Sequence, residues 1–148
     1  MSQFEGREAD FVVVKEDYSR FLCKDGTIIK AKIVVKKIFF HPQKTPEGYP
    51  MSVALDAINV AVAVVPESLK RTPSKELYNP LTDKGKEISF DEQQVHIQEY
   101  ITPDGFRVTV KPVVTKIMKY DKYNVYGEPI YNVNIQAITN IEKMASTA

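Results

Sequence analysis

The chain predicts an all-β protein: a tandem duplication of a three- to four-stranded antiparallel unit, forming a compact barrel or two-layer sandwich with pseudo-twofold symmetry. Three observations predict it. Segments recur at a fixed offset, the recurring segments alternate apolar and polar residues with period two, and the same Asp-Gly turn heads both. A shift of 79 residues places Asp25-Gly26 on Asp104-Gly105, Lys32 on Lys111 and Val34-Val35 on Val113-Val114. It also places Lys37-Ile38 on Lys116-Ile117, Gly48 on Gly127 and Pro50 on Pro129, giving nine identities in 26 positions without a gap.

The first copy opens on Phe11 to Lys15, a β-branched run with strand character. A hairpin follows, from Tyr18 to Cys23, through Lys24-Asp25-Gly26, into Thr27 to Phe40. The second copy writes the turn as Pro103-Asp104-Gly105. Proline presets φ for the first central position of a type I turn, and glycine takes the left-handed position that closes a G1 bulge. On the returning strand Ile29, Ala31, Ile33 and Val35 form one face against Lys30, Lys32 and Lys36. Val108, Val110, Pro112 and Val114 repeat the apolar face. Pro112 has no ladder donor and predicts an edge or a bulge there. At Lys37 and Lys116 a lysine stands where an apolar residue is due and isoleucine follows on the opposite phase, which predicts a β-bulge in both copies.

Two loops follow, His41 to Pro50 and Tyr120 to Pro129, and then the closing strands. A one-residue slip matches Val53, Leu55, Ala57 and Ile58 with Val133, Ile135, Ala137 and Ile138. The Val53 to Val65 segment reads as a strand buried on both faces, and Tyr131 to Gln136 as a strand with one wet face. Val60, Val62 and Val64 alternate with Ala61 and Ala63, leaving one face small enough for close approach by another layer. The whole chain, 1–148, is expected to be one domain of two repeats, about 11–65 and 90–143, joined by a crossover over 66–86. Each repeat alone is too small to be stable, so the two are expected to share a core. A helical turn is expected around Ser74 to Tyr78, and ends over Met1 to Asp10 and Met144 to Ala148 that are frayed or take up structure only against a neighbour.

Charge and composition narrow the function classes. Net charge is +1 and only four arginines are present, whereas bidentate phosphate recognition favours arginine. One cysteine, Cys23, forms no intrachain disulfide and no metal-site spacing. The start lacks a charged segment followed by an apolar one, and the longest apolar stretch is too short to span a bilayer. A cytoplasmic protein with no membrane partner is therefore expected. His41 and His96 stand outside any metal or catalytic pattern, and no phosphate-binding glycine loop or nucleophile elbow occurs. No catalytic residue, metal or cofactor is expected.

The candidate ligand- or partner-binding residues are Lys37 and Lys116, which a twofold could bring together around an anion, and the loop residues Lys119, Tyr120, Lys122, Tyr123 and Tyr126. The leading expectation is a non-catalytic binding or assembly module with a protein partner, self or other, and a homo-oligomer built on the Val/Ala strand or an exposed edge. A nucleic-acid or anion binder is the alternative. An enzyme whose site forms only in the fold is the third reading.

Overall fold

The computed structural model describes residues 6–144; Met1–Glu5 and Ala145–Ala148, where frayed ends are expected, lie outside them. In chain order the strands are β1 (Arg7–Ala9), β2 (Val12–Lys15), β3 (Ser19–Cys23), β4 (Ile28–Phe40), β5 (Val53–Val64), β6 (Lys86–Glu87), β7 (Phe90–Gln94), β8 (Gln98–Ile101), β9 (Phe106–Tyr123) and β10 (Pro129–Lys143). Arg7–Ala9 is thus a strand, formed by pairing with β4, the second of the two expectations for this end. One 3-10 turn, Glu67–Leu69, is the helical element of the crossover, and the turn expected at Ser74–Tyr78 is absent. Pro66 supplies the rigid entry to that turn, whereas the Ser74 to Tyr78 backbone is drawn out by bonds to a neighbouring loop.

The strands form two antiparallel sheets of five. In the first, β5 runs along one edge of β4, β3 and β1 share the other edge, and β7 lies outside β3. In the second, β10 runs along β9, β8 and β6 share its other edge, and β2 lies outside β8. Neither sheet closes on itself among the described residues. The registers correspond at the sequence offset: Arg7 pairs with Phe40 and Lys86 with Lys119, Ser19 with Ala31 and Gln98 with Val110.

Five strands per sheet exceed the expected three or four because strands change sheets. β2 follows β1 directly yet joins the second sheet, and β7 follows β6 yet joins the first. Each half of the chain therefore completes the sheet of the other.

Local chemistry explains the elements. In the two hairpins the Cys23 and Thr102 amides donate to Thr27 and Phe106, and Gly26 and Gly105 donate back to Cys23 and Thr102. Gly26 and Gly105 have φ of 93° and 88°, the left-handed values a G1 bulge demands. Both bulges occur where the phase breaks: the register slips between Val35 and Lys37 on β4, and between Val114 and Lys116 opposite Asn134 and Ile135. Two consecutive residues on each strand face outward as a result.

The sheets bury one apolar cluster between them. Phe21, Ile29, Ile33 and Ile38 of the first meet Tyr100, Val108, Val110 and Ile117 of the second, with Phe40 and Phe106 edge to face at 5.5 Å. Burying each of these side chains contributes about 1.5–3 kcal/mol, and neither half could cover its share alone.

Two details differ from the sequence expectation. The closing strands correspond as Val53 with Tyr131, Leu55 with Val133 and Ala57 with Ile135, since these face Phe40 and Lys119, Ile38 and Ile117, Val35 and Val114. The expected match was two residues away, and a shift of two leaves the inside-outside phase unchanged. Secondly, β5 is a strand but no residue in it is buried. Pairing decides its faces: Ala57, Asn59, Ala61 and Ala63 lie opposite the buried Val35, Ile33, Ala31 and Ile29, so Ile58, Val60, Val62 and Val64 point outward.

Candidate functional site

The bulges account for Lys37 and Lys116. Each is thrown to the surface beside the short strand that pairs with its sheet, where a glutamate waits. Lys37 Nζ lies 3.3 Å from Glu8, and Lys116 Nζ 3.9 Å from Glu87. Each ammonium is thus answered on its own sheet, and the two glutamates stand at the same 79-residue offset, a signal visible in the sequence.

The Tyr-Lys loop is likewise engaged by its own chain. Lys122 bridges to Asp83 at 2.9 Å and donates to the Leu77 carbonyl; Tyr120 meets Tyr78 edge to face at 4.8 Å. The Tyr123 amide donates to Ser74 Oγ, and the Arg71 amide donates to the Gly127 carbonyl. A side chain at Gly127 would put Cβ 2.3 Å from the Arg71 carbonyl, so glycine there lets the crossover lie against the loop. Tyr126 alone of the loop tyrosines projects freely, 74% exposed. Crossover and loop frame a groove of about 400 Å³ lined by Pro73, Leu77, Tyr123, Val125 and Ile130.

Lys119 belongs to a polar network at the first hairpin turn. Asp25 accepts from Lys119 Nζ at 2.8 Å, from Tyr131 OH at 2.6 Å and from the Thr27 amide at 2.9 Å. Since Tyr131 gives its proton to Asp25, the Thr27 hydroxyl donates to Tyr131. Burial favours the protonated carboxyl, but these donors outweigh it and hold Asp25 below the usual carboxylate range. Burial and the Asp25 charge push the nearby Cys23 thiol up to about 11, against a smaller opposing effect of Lys119. A thiol so protonated is a poor nucleophile. The network ties the turn to the second sheet and is fully used in doing so.

His41 accepts from the Gln43 amide within its loop. His96 lies in the β7–β8 connection, rather than on a strand face as its alternating segment suggests, because Ser19 Oγ binds its backbone. No group of three metal-ligating side chains occurs among the described residues, and no helix there is long and apolar enough to cross a membrane.

Two long strands, β5 and β10, keep one edge without a strand partner among the described residues, and β5 adds an apolar outer face to it. The one strand partner of β5 among the described residues is β4, which leaves a twelve-residue edge. From Ala57 to Val65 this edge carries no charge and no proline, the usual devices that keep strand edges apart. Its outward face adds Ile58 at 50%, Val62 at 41% and Val64 at 46% exposure. The inner face is alanine-rich, and Asn59 Nδ2 reaches across to the Ile135 carbonyl on β10 at 3.1 Å. These residues were expected inside. Val/Ala alternation offers no polar face, so the sequence alone leaves their direction open.

No protein-family model, curated protein or solved structure matches the chain.

Proposed function

We propose that the protein is a non-catalytic assembly module, a duplicated two-layer sandwich in a single domain, that joins a second copy of itself through β5. The observation that carries this reading is the uncharged, unpaired edge of β5 with its valine face turned to solvent. Antiparallel pairing of β5 with its counterpart would satisfy both rows of free backbone groups and extend the sheet, and a twofold contact of this kind closes as a dimer. The ionised side chains expected to bind a ligand already have partners in the same chain, which favours assembly over anion binding at those positions.

Light scattering on the eluting protein tests this. The wild type should carry twice the chain mass, independent of salt, and Ile58→Lys/Val62→Lys should elute at the mass of one chain with unchanged circular dichroism. A wild type of single-chain mass at high micromolar concentration, or a double mutant that keeps the doubled mass, rules the reading out.

A further inference from the structure

The outer face of the first sheet carries a cluster of cations that no described residue neutralises. Arg20 on β3 lies directly opposite Lys30 on β4, and Lys32 follows on the same face. Like charges directly opposite one another destabilise a strand pair, yet among the described residues no carboxylate lies within ion-pair reach of any of the three, although many other cations of the chain have one. Instead, Lys30 and Lys32 converge on one ring, with their Nζ atoms 5.2 Å and 4.6 Å from the centroid of Tyr18. At the corresponding places the second sheet carries Glu99, Thr109 and Lys111, and Glu99 lies 2.6 Å from Arg107. The concentration of positive charge is therefore specific to one sheet and is not required by the scaffold.

The neighbours of these cations identify their counterpart. Val62 and Val60 are the cross-strand partners of Lys30 and Lys32, so each ammonium rises beside a valine of the outer face, Val62 exposed and Val60 half-buried. We infer that the outer face of the first sheet binds an extended acidic segment of another polypeptide, with carboxylates at alternate positions facing the lysines. Lys30 and Lys32 are two residues apart on a strand, about 6.8 Å, the spacing of alternate carboxylates on an extended chain facing them. Val60 and Val62 give the methylene stems of those carboxylate side chains an apolar surface to lie against. A nucleic-acid strand would find here no free stacking surface, because both lysines already lie over Tyr18. Short β-branched side chains on a flat sheet do not reach into a bilayer, which argues against a lipid surface. The site is independent of the β5 edge: it uses the face of the sheet, and a dimer would carry it twice.

The probe is a synthetic octapeptide alternating Glu and Val, with its Gln-for-Glu analogue as the control, titrated by fluorescence anisotropy. The wild type should bind the acidic peptide, weaken as salt rises and ignore the analogue. Lys30→Gln/Lys32→Gln should bind at least about tenfold more weakly, the loss of roughly one charge contact, while keeping its circular dichroism and its mass by light scattering. Arg20→Gln serves as a second variant with the same expectation. No binding by the wild type, equal binding by the lysine variant, or binding of oligothymidylate or anionic phospholipid vesicles in place of the peptide would overturn the inference.

Discussion

β5 and β10 hold corresponding places, each bonded along one edge to the long central strand of its sheet and lacking a strand partner on the other. Their outer faces differ. Where β5 presents Ile58, Val60, Val62 and Val64, β10 presents Gln136, Ile138, Asn140 and Glu142. Inner positions are governed by the shared core, but the outer face of β10 shows that a polar surface serves this scaffold well. The apolar face of β5 is therefore not a requirement of folding. It is an addition to one sheet, placed beside the unneutralised Arg20, Lys30 and Lys32, and the pair of strands separates what the architecture needs from what it presents.

The same contrast runs through the interior. β4 and β9 each have a stretch of edge left open between their two short neighbours. On β4 the gap falls at Ile33, whose amide donates to Gln98 Oε1 at 2.9 Å and whose carbonyl accepts from Gln98 Nε2 at 2.5 Å. Gln98 also bonds Tyr100 OH, which passes its proton toward Glu16. At the corresponding place β9 has Pro112, which has no amide to satisfy, and Gln98 is replaced by Ser19, turned toward His96 instead. One half answers a buried donor; the other removes it.

Paired substitutions at corresponding positions sharpen or break this comparison. Gln98→Ala should destabilise by about 3 kcal/mol, since it orphans the Ile33 amide and carbonyl in the core, whereas Ser19→Ala should cost about 1 kcal/mol. Equal losses in urea denaturation would mean that the two gaps are not solved differently. The turn aspartates come next. Asp25→Asn should cost about 2 kcal/mol through its partly buried donors, and Asp104→Asn under about 0.5 kcal/mol, because its pair with Arg7 is solvent-screened. Both carboxyls sit below their usual 3.8. Burial alone would raise Asp104; bonds from Thr102 and Arg7 lower it. A depressed carboxyl stabilises the fold above that usual value and loses its contribution as pH falls through the folded one. The stability of Asp25→Asn should therefore fall less steeply below about pH 4 than that of the wild type, and Asp104→Asn should depart from the wild-type curve in the same direction by less. A small effect on stability is also expected from giving β5 the residues of β10: Val62→Asn/Val64→Glu should change stability by less than about 0.5 kcal/mol while abolishing the doubled mass. A large loss would show that the valine face belongs to the fold itself.

Much of the all-β scaffold was legible in the sequence because similar segments recur at one offset. One Asp-Gly turn could be chance; two at one offset, followed by the same phase break at Lys37 and Lys116, specify hairpin and bulge together. What escaped is what a local pattern does not contain. A slip of two residues leaves every side chain on its face, so the closing strands were matched at the wrong offset. The exchange of β2 and β7 pairs residues far apart in the chain, and nothing in Val12 to Lys15 names the sheet it joins. Among the site residues, Lys37 and Lys116 were singled out without Glu8 and Glu87, because strands as short as β1 and β6 have too little pattern to be read. Lys30 and Lys32 read, with Lys36, as the polar face of an alternating strand, and nothing local links Arg20 to them. That they lack carboxylates depends on which strands lie alongside them.

The exchange of strands also orders events at the ribosome. β3 waits for its outer neighbour until β7 has been made, and β2 emerges early with no partner until β8 appears. A nascent chain that ends before Phe90 can build the β3–β4–β5 meander but leaves the outer edge of β3 bare. Two such chains side by side can satisfy the same registers by trading halves. The segment 66–85 is bonded to Tyr123 and Gly127 of its own chain, so the hinge for such an exchange would fall ahead of it, near Val65.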